Sequence, residues 1–335
     1  MSTGHRLTAA PAGARPGLAT PPRKIRTVSP ERADAVIAGV NKAGTTSLFV
    51  SLSTHPDVAP SAIKETGYFL PARYGQPLEP FTVYQEYYRD AGDRPVHLEA
   101  TPSYFYGGRA VAERIEQDLV DPHVILVLRE PVARAISFFT YQKIRLRFPS
   151  EMPITEYLAQ ADRLTTADFA DPENEKYMAF RGGCYADFLP DWLDVFGTRR
   201  LHVGWFEELV ADQTPVLASV AEWLGLDPAR FPDNALSSEN RTTGYKSAQF
   251  QRLALAGNDR LERIFRRHPE MKRKIRSLYY RLNGTVTRDQ IPPAVRDELA
   301  ARFREPNTRL ARQLEAASIP LPSWLAADAT RAKSA

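Results

Sequence analysis

Lys42 lies between Gly39 and Gly44 and is followed at once by Thr45, Thr46 and Ser47. An ammonium, a flexible backbone and a run of hydroxyl donors in one short stretch are the groups that hold an oxyanion. Val36 to Val40 before them read as a strand buried on both faces, and Leu48, Phe49 and Leu52 recur at helical spacing after them. The local reading is therefore strand, phosphate loop, helix. A helix that begins at such a turn directs unpaired backbone amides and its positive dipole end at the loop. The spacing is not that of a standard triphosphate loop, which runs Gly, four residues, Gly-Lys-Ser/Thr. Here Thr45 stands in the lysine's place and the lysine has moved inside, to Lys42, beside Ala43. The run alone is equally compatible with a glycine turn that carries a surface lysine.

A second anion-binding group follows the strongest strand signal in the chain, VILVLRE at 124–130. Arg129 ends that strand, Arg134 follows, and Ser137 lies about two turns into the next helix, which Pro131 opens at a position where its missing N–H costs nothing. A guanidinium and a hydroxyl so placed both reach a phosphate lying across the sheet edge.

The elements that must position these groups alternate. VHLEATPSYF (96–105) reads as a strand ending at Thr101-Pro102, and 108–119 as an amphipathic helix with Val111, Ile115 and Leu119 on one face. Asp57 to Pro60 and the run 62–70 read as a second short extended segment and its loop, and LHVGWFEEL (201–209) as another strand. Asp212 caps a helix that ends at Gly225, and 291–318 reads as two helices broken near Pro306. Repeated strand-turn-helix units predict an α/β fold, P-loop-NTPase-like and three-layered, with a central parallel sheet flanked by helices and ligands at the carboxyl ends of the strands.

Four ordered motifs resemble those of sulfotransferases. VNKAGTT resembles the loop that binds the 5′-phosphosulfate, and REPVARAISFF the motif for the 3′-phosphate of 3′-phosphoadenosine 5′-phosphosulfate. KETGYF and EATPSYF are similar to segments of the Golgi-type heparan sulfate branch and its bacterial relatives, as are GCYADFLPDWLDVFG and LHVGWFEEL in order. The resemblance covers about 35–245, with weaker agreement at FREPNTRL (303–310). It implies a donor, 3′-phosphoadenosine 5′-phosphosulfate, held by Lys42, Ala43, Gly44, Thr45, Thr46, Ser47, Arg129 and Ser137, with Arg241 and Lys246 of ENRTTGYKS closing over it. It implies Glu65 as general base with Lys64 beside it; His97 and Glu99, read at the carboxyl end of the next strand, are the competing bases. Tyr68, Phe69, Thr101, Tyr104 and Tyr185 are the expected acceptor-site residues. Ala100 stands where many heparan-type members carry lysine, which moves the expected charge stabilisation onto Lys42 and Lys64. No metal is required if lysine and backbone amides supply the positive charge. A phosphate-loop kinase is disfavoured by the displaced lysine, and a non-catalytic glycan- or nucleotide-binding relative is the other alternative.

With 43% hydrophobic and 25% charged residues over 335 positions, the chain reads as globular, and no apolar run approaches the ~20 residues of a membrane span. Residues 1–33 carry net +5 of a total of +4, so the basicity implied by a pI near 9.1 belongs to a Pro/Ala/Arg-rich tail and does not call for nucleic acid. A transit peptide is the other reading of that tail. The expected domain runs from 34 to 320, with a lid or acceptor region at about 145–182, a basic helical stretch at 256–281 and a second tail at 321–335. A single cysteine, Cys184, permits no internal disulfide and points to a reducing, cytoplasmic and bacterial setting. There the acceptor is a small molecule, glycolipid or carbohydrate hydroxyl; the sequence leaves the oligomeric state open.

Overall fold

The computed structural model describes residues 32–232 and 291–326, together with the backbone of a two-residue antiparallel pair at 244–245 and 284–285. The basic stretch 256–281 lies outside the described residues.

The first strand, β1 (Ala35–Gly39), is buried along its whole length, as its apolar run requires. It leads to α1 (Thr45–Leu52), β2 (Val58–Pro60), the short helices α2 (Leu70–Arg73) and α3 (Phe81–Gln85), β3 (Val96–Ala100) and α4 (Gly108–Asp118). Next come β4 (His123–Leu128), α5 (Pro131–Ile144), α6 (Ile154–Ala161), α7 (Leu189–Arg200), β5 (Leu201–Trp205), α8 (Phe206–Ala211) and α9 (Gln213–Trp223). The last helix, α10, spans Pro293–Ala316. The strands form one parallel sheet in the order β2-β3-β1-β4-β5, with Ala35 beside Leu98 on one side of β1 and beside His123 on the other. Right-handed crossovers must place α1 on one face and α4 and α7 on the other. Accordingly α4 packs on α7 and α1 on α9.

The direction of winding reverses at β1, so a crevice opens beyond its carboxyl end, flanked by the ends of β3 and β4. The phosphate-loop residues, Arg129 and Thr101 all lie there. The expected fold is thus the observed one.

Several boundaries differ from the sequence reading. The short extended segment and loop read over 57–60 and 62–70 are observed as the strand Val58–Pro60 followed by an irregular 62–69. The strand at 201–209 stops at Trp205 and turns into α8, because Glu207 accepts from the Glu130 amide at 2.9 Å and Phe206 packs on the Arg129 guanidinium. Instead of breaking, α10 runs through Pro306, which is buried on the same side as Phe303, Asn307, Leu310 and Leu314; tertiary packing outweighs the lost hydrogen bond. The stretch 181–197, where Tyr185, Phe188, Leu189, Trp192 and Phe196 recur at helical spacing in the sequence, is an α-helix only from Leu189, with Pro190 in the first turn after two 3-10 turns. Packing also continues past 320, where Leu325 is buried and Trp324 sits 6.4 Å from Trp205, ring to ring.

Gly39 ends β1 where the sheet touches the segment after β3. A Cβ at Gly39 would lie 2.7 Å from Phe105 Cβ and 3.2 Å from Leu126 Cδ2, so the site is closed to any side chain. Gly39→Ala should therefore destabilise the protein by about 1–3 kcal/mol in denaturant titrations, through overpacking. A change below about 0.5 kcal/mol would show that β1 and Phe105 are not in this register.

Candidate active site

The loop between β1 and α1 is a turn in which Lys42 (φ 72°) and Gly44 (φ 77°) both take the left-handed conformation. Gly44 is the N-cap residue of α1, with no side-chain cap and no acidic residue in the first turn. By contrast, α5 is capped by its own Glu130, whose carboxylate accepts from the amides of Val132 and Ala133 at 2.8 and 2.7 Å. One helix start is already satisfied by a carboxylate; the other is left for a ligand.

Two arginines hold the loop. Arg129 Nη1 donates to the Lys42 carbonyl at 2.9 Å, and its guanidinium lies 4.3 Å from the Phe206 ring centroid. Arg134 is completely buried; its Nε donates to the Asn41 carbonyl (3.2 Å), its Nη1 to the carbonyls of Met178 (2.8 Å) and Ala179 (2.9 Å), and its Nη2 to the Tyr106 hydroxyl (2.9 Å). The hydrogen-bond partners named for both guanidinium groups are neutral, while the nearby carboxylates of Glu207 and Glu130 favour the charged form of Arg129. Asn41 Nδ2 donates to Ser103 Oγ at 3.1 Å, which ties the loop to the end of β3 as well.

The Lys42 ammonium lies 4.5 Å from the Tyr141 ring centroid. Burial, and next the nearby Arg129 guanidinium, pulls Lys42 down from 10.5 to about 8; Arg134 and Lys64 act in the same direction and Glu65 against them. Burial likewise lowers Arg129 from the usual guanidinium range. Arg129 Nε is buried and has no hydrogen-bond partner among the described residues. These groups fit an anion with more than one charged oxygen.

Glu65 faces the same space. Its backbone is left-handed at φ 65°, an unfavourable region for a side-chain-bearing residue, and its amide donates to the Ala100 carbonyl at 2.8 Å. Its side chain is 55% exposed, and Lys64 Nζ donates to its Oε1 at 2.6 Å. A carboxylate that is reachable, held by one lysine and aimed by a strained turn is suited to removing a proton.

Not every residue singled out in the sequence joins this group. His97 was expected at the carboxyl end of its strand, but β3 begins at Val96, which puts His97 at the amino end, buried, with its Nδ1 3.1 Å from Asp34. Glu99 is also enclosed. Tyr68, Phe69, Thr101, Tyr104 and Tyr185, the expected acceptor contacts, are all buried. Their hydroxyls are engaged within the protein: Tyr68 donates to the Glu79 carbonyl, Tyr104 to Glu99, and Tyr185 to the Arg129 carbonyl at 2.7 Å. All five side chains are packed within the protein. Ser137 is half-buried on α5, one turn beyond Arg134. Arg241 and Lys246 lie outside the described residues. Sequence reasoning passed over Tyr141 and Phe206, which shield the two cations, and it gave Arg134 no partners; an aromatic near a basic motif was the one available signal. Among the described residues no cluster of His, Cys, Asp or Glu is placed to hold a metal, and no helix is long and apolar enough to cross a membrane.

A family model described as "Sulfotransferase domain" matches residues 32–256. The chain is 35% identical over 196 residues to human heparan sulfate glucosamine 3-O-sulfotransferase 3B1, covering 57% of this chain and 46% of that protein. It is 32% identical over 231 residues to mouse heparan sulfate glucosamine 3-O-sulfotransferase 3A1, covering 66% and 54%. It thus spans about half the length of the curated relatives it matches. Its fold is similar to the crystal structure of a sulfotransferase from Alicyclobacillus acidocaldarius, with a TM-score of 0.53, 25% identity, and coverage of 70% of this chain and 94% of that one.

Between about pH 8 and 10.5 the unfolded chain binds more protons at Lys42 than the folded chain does, so folding stability rises with pH across that window. Below it the folded protein carries a confined cation, so Lys42→Met should be more stable than the parent at about pH 7 and should lose part of that rise. Denaturant titrations on both sides of the window check this, and a less stable Lys42→Met at the lower pH would contradict it.

Proposed function

The chain belongs to the sulfotransferase family, and on that premise we propose that it moves a sulfuryl group from 3′-phosphoadenosine 5′-phosphosulfate to a hydroxyl by in-line displacement. The observation that carries the proposal is the desolvated Lys42 at an uncapped helix start, with Glu65 as its acidic neighbour.

The residues divide into a donor half and an acceptor half. Lys42, the amides of the 43–47 segment and the hydroxyls of Thr45, Thr46 and Ser47 hold the 5′-phosphosulfate, while Arg129 and Ser137 hold the 3′-phosphate. Arg241 and Lys246 join the donor contacts on sequence grounds. Glu65 takes the proton of the acceptor hydroxyl as its oxygen bonds to sulfur. The bond from sulfur to the 5′-phosphate oxygen breaks, and its electron pair stays on the leaving phosphate, where Lys42 and the helix dipole stabilise it. Lys64, already on Glu65, shares the charge of the transferring group.

The names of the relatives favour a carbohydrate acceptor, and a small-molecule or glycolipid hydroxyl is the alternative. Ala100, fully buried at the end of β3, adds no charge of its own to acceptor recognition. A cytoplasmic, bacterial setting is supported by the single, free and buried Cys184 and by the likeness to a bacterial sulfotransferase.

Radiolabelled donor offered to heparan oligosaccharide and to a set of small alcohols and phenols tests the reaction. Glu65→Gln should lower turnover by about 100- to 10,000-fold while leaving the affinity for adenosine 3′,5′-bisphosphate within about twofold. Parent-like turnover in Glu65→Gln would remove the base. A parent protein that binds adenosine 3′,5′-bisphosphate no better than adenosine 5′-monophosphate would remove the donor.

A further inference from the structure

Glu99 is a carboxylate that this reaction does not use. It is fully buried on β3, one residue before Ala100. Its Oε1 accepts from Thr66 Oγ1 at 2.5 Å, Tyr104 Oη at 2.6 Å and Thr101 Oγ1 at 3.0 Å, and its Oε2 accepts from Tyr84 Oη at 2.7 Å. Burial pushes its carboxyl upward, and the four hydroxyls act against that. Each hydroxyl has one proton to give, so each of these oxygens is left only with lone pairs for its other neighbours.

Three of them use those lone pairs on consecutive backbone amides. Gly67 N donates to Thr101 Oγ1 at 3.2 Å, Tyr68 N to Thr66 Oγ1 at 3.3 Å and Phe69 N to Tyr104 Oη at 3.2 Å. The adjoining Ala100 carbonyl receives the Glu65 amide. Segment 65–69 has no strand or helix of its own, so its conformation depends on this relay from amide to hydroxyl to carboxylate. A neutral Glu99 would itself need an acceptor and would turn at least one hydroxyl around.

We propose that Glu99 is a positioning residue for Glu65: its buried carboxylate orients Thr66, Thr101 and Tyr104, and these hold the turn that carries the Glu65 side chain into the site. The inference rests on the reading of Glu65 as base. Glu99 touches neither donor nor acceptor; its effect is on the placement of the group that does.

Thr66→Val keeps the shape and total charge of the site but removes one link of the relay, whereas Thr66→Ser keeps the hydroxyl. Turnover is read as release of adenosine 3′,5′-bisphosphate from saturating donor, with heparan oligosaccharide as acceptor and with water alone in a parallel set. Thr66→Val should lower kcat about tenfold or more, Glu99→Gln further, and Thr66→Ser should stay within about threefold of the parent, because small misplacements of a reacting group are costly. All three should bind adenosine 3′,5′-bisphosphate within about twofold of the parent, since the donor half is untouched. Should Glu99→Gln fail to fold, the Thr66 pair decides. The inference is overturned if folded Thr66→Val keeps the parent kcat while Glu65→Gln loses it, or if Thr66→Ser is as impaired as Thr66→Val. Parent-like kcat in Glu65→Gln instead removes the base itself, a separate outcome.

Discussion

The site depends on positive charge that the protein holds in place mainly through neutral hydrogen-bond partners and ring faces. Lys42, Arg129 and Arg134 converge where the sheet reverses its winding, and the groups that hold them are carbonyls, a hydroxyl and aromatic faces. Buried guanidinium groups ordinarily take carboxylate partners, because desolvation is otherwise costly. Dipoles and ring faces here supply part of that compensation, and the carboxylates of Glu207 and Glu130 near Arg129 and of Glu65 near Lys42 supply another part. The surrounding packing is shaped by the same need. A Cβ on Gly182 would come within 2.6 Å of Arg134 Nη2, so the chain must be bare where it crosses the guanidinium. Arg134 also joins three separate stretches, the phosphate loop, Tyr106 after β3 and the 178–179 segment, so donor and acceptor sides share one rigid support.

The acceptor side is built on the opposite principle. Glu99 is a buried carboxyl group held by hydroxyls, as Arg134 is a buried guanidinium held by carbonyls and one hydroxyl. Each group organises a segment lacking regular secondary structure, the turn at 65–69 in one case and the loop at 41–44 in the other. The ends of β3 and β1 are neighbours in the sheet, so the two organised segments face one another. Glu65 and Lys42 then meet across the gap, and their charges influence one another.

Much of this was legible in the sequence. An uninterrupted apolar run such as Val124 to Leu128 has few alternatives to a central parallel strand, and the alternation of such runs with amphipathic stretches fixed the layer order. Lys42 and Arg129 stood out by residue type beside a glycine turn and a strand end. What stayed hidden depends on tertiary partners. Nothing local distinguishes Arg134, wholly enclosed, from an exposed helix arginine. Tyr104 and Tyr185 were taken for acceptor contacts because aromatic residues suit both a binding wall and a core, and only the packing decides. His97 was assigned to the carboxyl end of a strand whose start at Val96 was read correctly, although as the second residue of β3 it lies at the amino end, and Pro306 was overrated as a breaker because a helix packed along one whole face tolerates one missing hydrogen bond.

The most direct test of the confined charge at Lys42 is proton uptake on anion binding. Calorimetry of adenosine 3′,5′-bisphosphate binding near pH 8, in two buffers of different ionisation enthalpy, reads it. With the free lysine titrating at about 8, a bound phosphate must raise its proton affinity, so a fraction of a proton should be taken up there; near pH 6, where the ligand's own phosphates titrate, almost none comes from Lys42, and none from this group in Lys42→Ala at either pH. Binding enthalpies that do not depend on the buffer near pH 8 would contradict the account, because the lysine would then be fully charged, or absent from the anion site, before the ligand arrives.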